Sequence, residues 1–229
     1  FEKVLIGFFT SSLNLEREFF SFLYGLMDEE ECRAVRRAVL EKYRRVSRSP
    51  EGAFRYPTGR AGARGLGYDP GLSEEAPGAL ADLFCGVGNP FSLGRVLPGE
   101  IVLDAGCGGG FDLFCAAKQA GPRGKAFGID MTREMVSRAA GSLAASGPAP
   151  VQVAVARTEE IPFRDGVFDR VLSNGALNLF DVNQVSVRDN RCHAIPLFFM
   201  ASSRMSCTVR FELRRSITIS SIVSAAIMW

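Results

Sequence analysis

Apolar positions recur at two periods along this chain, and the change between them divides it. In DEEECRAVRRAVLEKYRRV (28–46), Cys32, Val35, Val39, Tyr43 and Val46 follow one another at spacings of three and four. That is one apolar stripe on an α-helix. Asp28 is placed to cap it, with Glu31 at the capping-box position three residues on. From residue 101 the period changes. IVLD (101–104) reads as a strand and DLFCAAKQA (112–120) as a helix. AFGID (126–130) is a strand, and 132–145 a helix with Thr132 at its N-cap. VQVAVA (151–156) and FDRVLS (168–173) are two more strands. Strands and helices at this spacing predict a parallel sheet with right-handed crossovers, an α/β doubly wound architecture.

The flanks differ. Residues 1–26 hold six of the 18 phenylalanines and show no clean period. The chain opens on Phe1, and Met27 reads as a native start, which makes 1–26 an atypical N-terminal extension. RYPTGRAGARGLGYDPG (55–71) has five glycines and two prolines. It reads as an extended connector or lid, followed by a short helix around 73–85. Four segments are therefore expected: the extension, an N-terminal helix and lid over 27–100, a core over 101–180, and a divergent tail over 181–229.

At 229 residues and 47% hydrophobic, the chain can bury one ordinary α/β core. The balance of 27 basic and 25 acidic residues gives no electrostatic case for nucleic acid. Ten Lys and Arg residues lie between Arg33 and Arg64 with only Glu41 and Glu51 among them. They read as a solvated helix face and a basic loop. None of the six cysteines forms a C-x-x-C pair, and His193 is the single histidine, so no metal site is expected. With no secretory signal evident, reduced thiols in a cytoplasmic protein are expected, and a monomer is expected too. No apolar run reaches the ~18 residues that cross a bilayer.

The candidate chemistry lies in IVLDAGCGGG (101–110). Glycine inside an element costs roughly 0.5–1 kcal/mol relative to alanine, so four glycines after a strand need a reason. Where a strand of a doubly wound sheet turns into a helix, a ligand meets backbone, and small residues let it approach. The helix N-terminus adds free N–H groups. The dinucleotide pattern G-x-G-x-x-G fails here, because its third glycine falls on Phe111 or Leu113. Asp130 ends the second strand about twenty residues on, where a carboxylate can accept both hydroxyls of a ribose.

The observed D-x-G-x-G-x-G, Asp104, Gly106, Gly108 and Gly110, resembles the first motif of class I S-adenosylmethionine-dependent methyltransferases. The wider text narrows this. GNP before the first strand, PGE with VLD and the glycine loop, GIDMTREM, and SNG followed by NL resemble the arsenite methyltransferase family over roughly residues 50–180. The resemblance implies a class I methyltransferase-like sheet, S-adenosylmethionine as methyl donor, and a small-molecule acceptor, with neither nucleic acid nor membrane as partner. It also implies that Asp104, Gly106, Gly108 and Gly110 frame the methionine moiety. Asp130 takes the ribose, Met131 packs on the adenine, Thr158 and Glu159 read its edge, and Asn174 lies beside the methionine end. Core packing is the alternative for Met131, and a solvated loop acid for Glu159.

Two departures matter. The family's As(III)-binding cysteines fall on Val87 and Gly175, with Cys85 as a weak catalytic candidate two residues early. Cys107 and Cys115 read as small apolar fillers. Past NLF the family's pattern also stops, so the sheet would be incomplete after its fourth strand unless the tail supplies substitutes. A truncated, non-catalytic chain that at most binds the cofactor is thus the alternative to an active enzyme.

Overall fold

In a computed structural model, the described residues are 28–144, 149–176 and 193–196. The extension 1–26, Met27 and most of the tail lie outside them. Helix α1, Glu29–Val46, starts as its sequence requires: the Asp28 carboxylate accepts the Glu30 and Glu31 N–H groups, and Glu31 accepts the Asp28 N–H. Its buried stripe holds Val35, Val39 and Val46.

The connector is helical rather than extended. It forms α2 (Gly59–Gly65), α3 (Pro70–Glu75), α4 (Gly78–Ala81) and a 3-10 turn at Pro90–Leu93. Tertiary contacts override the poor helix propensity of GRAGARG. A Cβ on Gly62 would strike the Pro57 carbonyl, so the glycine permits a close approach. The Arg60 guanidinium donates to the Ser73 carbonyl at 2.6 Å and the Ala76 carbonyl at 2.5 Å. The single helix expected over 73–85 is two, because Ala76 is extended and Pro77 begins the next turn.

The core is a parallel sheet of β1 (Ile101–Ala105), β2 (Lys125–Asp130), β3 (Val151–Val155), β4 (Arg170–Ser173) and β5 (His193–Pro196), in the order β3-β2-β1-β4-β5. Helices α5 (Phe111–Ala120) and α6 (Arg133–Leu143) make the crossovers. The tail does supply a fifth strand, β5, whose Ala194 is in register with Val171 of β4. Strand order reverses between β1 and β4, and ligands of open α/β sheets bind at the carboxyl ends beside such a switch.

One face of the sheet packs Leu113, Phe114 and Cys115 of α5 with Leu80 and Phe84 of the connector. The other packs Leu103 and Ile129 with an aromatic group of Phe127, Phe163 and Phe168. At the amino ends of the strands, Arg170 donates to both oxygens of Glu100 at 2.9 and 3.1 Å, with the two side chains 10% and 17% exposed. Glu100→Gln is expected to cost about 1–3 kcal/mol in urea unfolding, because it leaves a largely buried guanidinium without its counter-charge. A change below the measurement error would contradict that role.

Candidate functional site

Four loops meet at the carboxyl end of the sheet. The first follows β1. Gly106 and Cys107 both donate N–H to the Ile129 carbonyl, at 2.8 and 2.9 Å, which pins the loop to β2. Gly108 has φ +51° with no atom within 4 Å of a built Cβ, and Gly110 has φ +91° at the N-cap of α5. These left-handed positions favour glycine. They turn the chain into the helix, and the bare backbone of Gly106, Gly108 and Gly109 faces a cleft of about 730 Å³, open mouth included. Gly110 does not line it, since a Cβ there would meet Ala139 and Leu143 of α6.

The second loop follows β2. Asp130 Oδ2 accepts the Gly108 N–H at 3.0 Å and Oδ1 accepts the Thr132 N–H at 2.7 Å. Thr132 occupies the N-cap of α6, but its side chain makes no cap bond. Burial pushes the Asp130 carboxyl up, and the Thr132 and Gly108 donors pull it back. Asp130 and Met131 both line the cleft. After β3, Thr158 lines the cleft too. Glu159 is turned away into an ion-pair cluster, 2.9 Å from Arg157 and 3.7 Å from Arg36 of α1. Part of the basic face of α1 is therefore neutralised, since Arg44 also lies 3.4 Å from Glu134 of α6.

The fourth loop follows β4. Asn174 Oδ1 accepts the N–H groups of Val87 and Gly88 at 3.0 and 3.1 Å. Its Nδ2 lies 2.9 Å from the Gly88 carbonyl, 2.9 Å from Asp112 Oδ2 and 3.1 Å from the Tyr68 hydroxyl. Gly175 reaches Val87: a Cβ there would sit 3.3 Å from Val87 Cγ2. The two positions that the resemblance equates with thiols thus adjoin, without a thiol. Cys85 lines the cleft, and burial pushes its thiol up to about 12, so it keeps its proton at neutral pH. Cys107 and Cys115 are buried beside the loop and in α5.

Asp104 is 1% exposed and does not line the cleft. Its Oδ2 has no hydrogen-bond partner among the described residues. Burial first, then Asp112 and Asp130, push its carboxyl well above the usual range. Several wall residues are not among those expected at the site from the sequence: Val39 and Tyr43 of α1, Leu83 and Phe84 of the connector, and Asp112 in the first turn of α5. An acid one residue into the helix after a glycine loop was the signal available for Asp112. Among the described residues, no lysine, arginine or histidine lines the cleft, no His, Cys, Asp and Glu group could hold a metal, and no helix is long and apolar enough to cross a membrane.

Parts of the chain are similar to known proteins. Residues 97–197 match the family described as "Methyltransferase domain". The chain is 40% identical over 123 residues to an arsenite methyltransferase of Halobacterium salinarum, covering 53% of this chain and 31% of that protein. It is 38% identical over 92 residues to the nocamycin O-methyltransferase of Saccharothrix syringae, covering 40% and 33%. The chain thus spans about a third of the length of these curated relatives. The crystal structure of CrArsM, an arsenic (III) S-adenosylmethionine methyltransferase from Chlamydomonas reinhardtii, is 26% identical over 56% of this chain and 43% of that one, with a TM-score of 0.40. The chain is similar to arsenite methyltransferases and, over its sheet, to methyltransferase domains.

The buried acids set a pH dependence. Burial pushes Asp112 from 3.8 up to about 6, against the pull of Tyr68 and Asn174. Between these values the native state holds a proton that the unfolded chain has lost, so this contribution falls as pH rises from about 4 to about 6. Asp112→Asn removes it. The melting temperature of the variant minus that of the wild type is therefore expected to rise across that window and level off above it. A flat or falling difference would contradict the raised carboxyl.

Proposed function

We propose that the chain is an S-adenosylmethionine-dependent methyltransferase acting on a small-molecule acceptor. The observation that carries this is the cleft at the β1–β4 switch, where bare glycine backbone, a strand-end carboxylate and no cationic side chain come together. That set suits a ligand with a sugar diol and a positive charge. Asp130 uses one acceptor site on each oxygen for Gly108 and Thr132. The Thr132 hydroxyl is a third donor to it, and a carboxylate offers about four such sites, so one is open to a ribose hydroxyl and a second is open once the Thr132 hydroxyl turns away. Met131 and Thr158, on the adjoining loops, are the adenine wall, and the Gly106–Gly109 backbone carries the amino-acid end. Glu159 takes no part, because Arg157 and Arg36 hold it.

The bound donor supplies a methyl group already activated on a sulfonium, so alignment with the acceptor is the main requirement. The residues around the cleft match that demand. Burial holds the protons on Cys85 and Tyr43, and neither serves as a base at neutral pH. The acceptor therefore brings its own lone pair, as a soft or already ionised nucleophile. Arsenite would meet Val87 and Gly175 where thiolates are needed to hold it. The acceptor is consequently one that thiolates need not bind.

Asp130→Ala is expected to weaken S-adenosylhomocysteine binding by about 1–3 kcal/mol in calorimetry, the range for charge-assisted hydrogen bonds. Unchanged binding would sink the ribose assignment, and absence of binding to the wild type would sink the cofactor. With S-adenosylmethionine and arsenite, the purified chain is expected to yield little or no methylated arsenic by chromatography with arsenic detection. Robust turnover would overturn the acceptor reading.

A further inference from the structure

One cleft acid has no task in the assignment above. Asp112 is 8% exposed, lines the cleft and sits in the first turn of α5. Both of its oxygens are oriented by neutral groups: Oδ1 lies 2.5 Å from the Tyr68 hydroxyl and Oδ2 lies 2.9 Å from Asn174 Nδ2. Tyr68 is itself fixed, 4% exposed and packed edge-on against Phe84, Phe91 and Phe111. A buried carboxylate without a cation costs stability, and an apolar residue of similar size is often more favourable. No lysine, arginine or histidine reaches the cleft among the described residues. The missing positive charge is one that a ligand can bring.

The order of the strands says which charge. Asp130 ends β2, while Asp112 is bonded to Asn174 at the end of β4, with β1 between. A ligand with its ribose on Asp130 runs across β1 towards β4, and its amino-acid end arrives at Asp112. Asp104, the acid that the sequence pattern associates with that end, is buried behind the loop and does not reach the cleft. The N–H groups of the first turn of α5 suit the ligand's carboxylate, which leaves its ammonium for an anion.

We propose that Asp112, positioned by Tyr68 and Asn174, is the counter-charge for the α-ammonium group at the amino-acid end of the methyl donor, and that it selects ligands carrying that group. This rests on the donor reading of the cleft. Asp112 then contributes affinity through a charge-assisted hydrogen bond to a group distant from the transferred methyl.

Calorimetry with S-adenosylhomocysteine and its desamino analogue, each against wild type and Asp112→Asn, forms a cycle that isolates this contact. The wild type is expected to lose about tenfold or more in affinity when the amino group is removed. The variant is expected to lose less than about threefold. Asp112→Ser is run in parallel, so that the cycle does not depend on one variant folding. Equal losses in wild type and variant would overturn the role of Asp112 while leaving the donor reading intact. Equal affinity of the wild type for both ligands would do the same without any variant. No binding of S-adenosylhomocysteine to the wild type would overturn the donor reading itself, and this proposal with it.

Discussion

Five polar contacts within hydrogen-bond distance converge on the carboxamide of Asn174, three of them sharing its two N–H donors, and the cleft has its shape because of them. The connector makes no strand pairing with the sheet, so something else must hold it there. Asn174 bonds the backbone of Val87 and Gly88 to the end of β4, and ties both to Tyr68 and Asp112. The contact is close enough that a Cβ on Gly86 would collide with its Nδ2. A second tie, from the Tyr56 hydroxyl to the Cys85 carbonyl at 2.9 Å, holds the same segment from the α1 side. The wall of the cleft is therefore a polar clasp over an apolar core, rather than a continuation of the sheet.

The clasp gathers negative charge. Asp104, Asp112 and Asp130 are all driven up by burial at one end of the sheet. Three acids with no basic side chain in the cleft make a site that resists ionisation when empty and favours a cationic ligand. Backbone donors meet Asp130, and neutral side chains meet Asp112, so both are oriented without being neutralised. This is the opposite of Glu159, which two arginines take out of reach of the cleft.

Much of the sheet was legible because each crossover repeats one pattern: an apolar run, a turn signal and a helical stripe. The cap at Asp28 and the strand ending at Asp130 are local events that adjacent residues determine. The connector was not legible. GRAGARG is a poor helix by propensity, and its α2 depends on Arg60 reaching the carbonyls of Ser73 and Ala76. That the glycine loop and Asp130 meet was readable from their spacing, and Asp130 does accept the Gly108 N–H. Asp112 was not readable, since its partner Tyr68 lies 44 residues away and Asn174 62 residues away. Likewise the adjacency of Val87 and Gly175 exists only once the clasp is formed. Strand β5 could not be read at all, because HAIP is too short to show a period.

The central claim is that the cleft at the β1–β4 switch holds an adenosyl ligand with its ribose at β2 and its amino-acid end at β4. A crystal structure of the protein grown with S-adenosylhomocysteine tests this most directly. The account predicts density with the ribose hydroxyls on Asp130, the adenine between Met131 and Thr158, and the amino group within hydrogen-bond distance of Asp112. Density with the ligand reversed, placed elsewhere or absent at saturating concentration would contradict it.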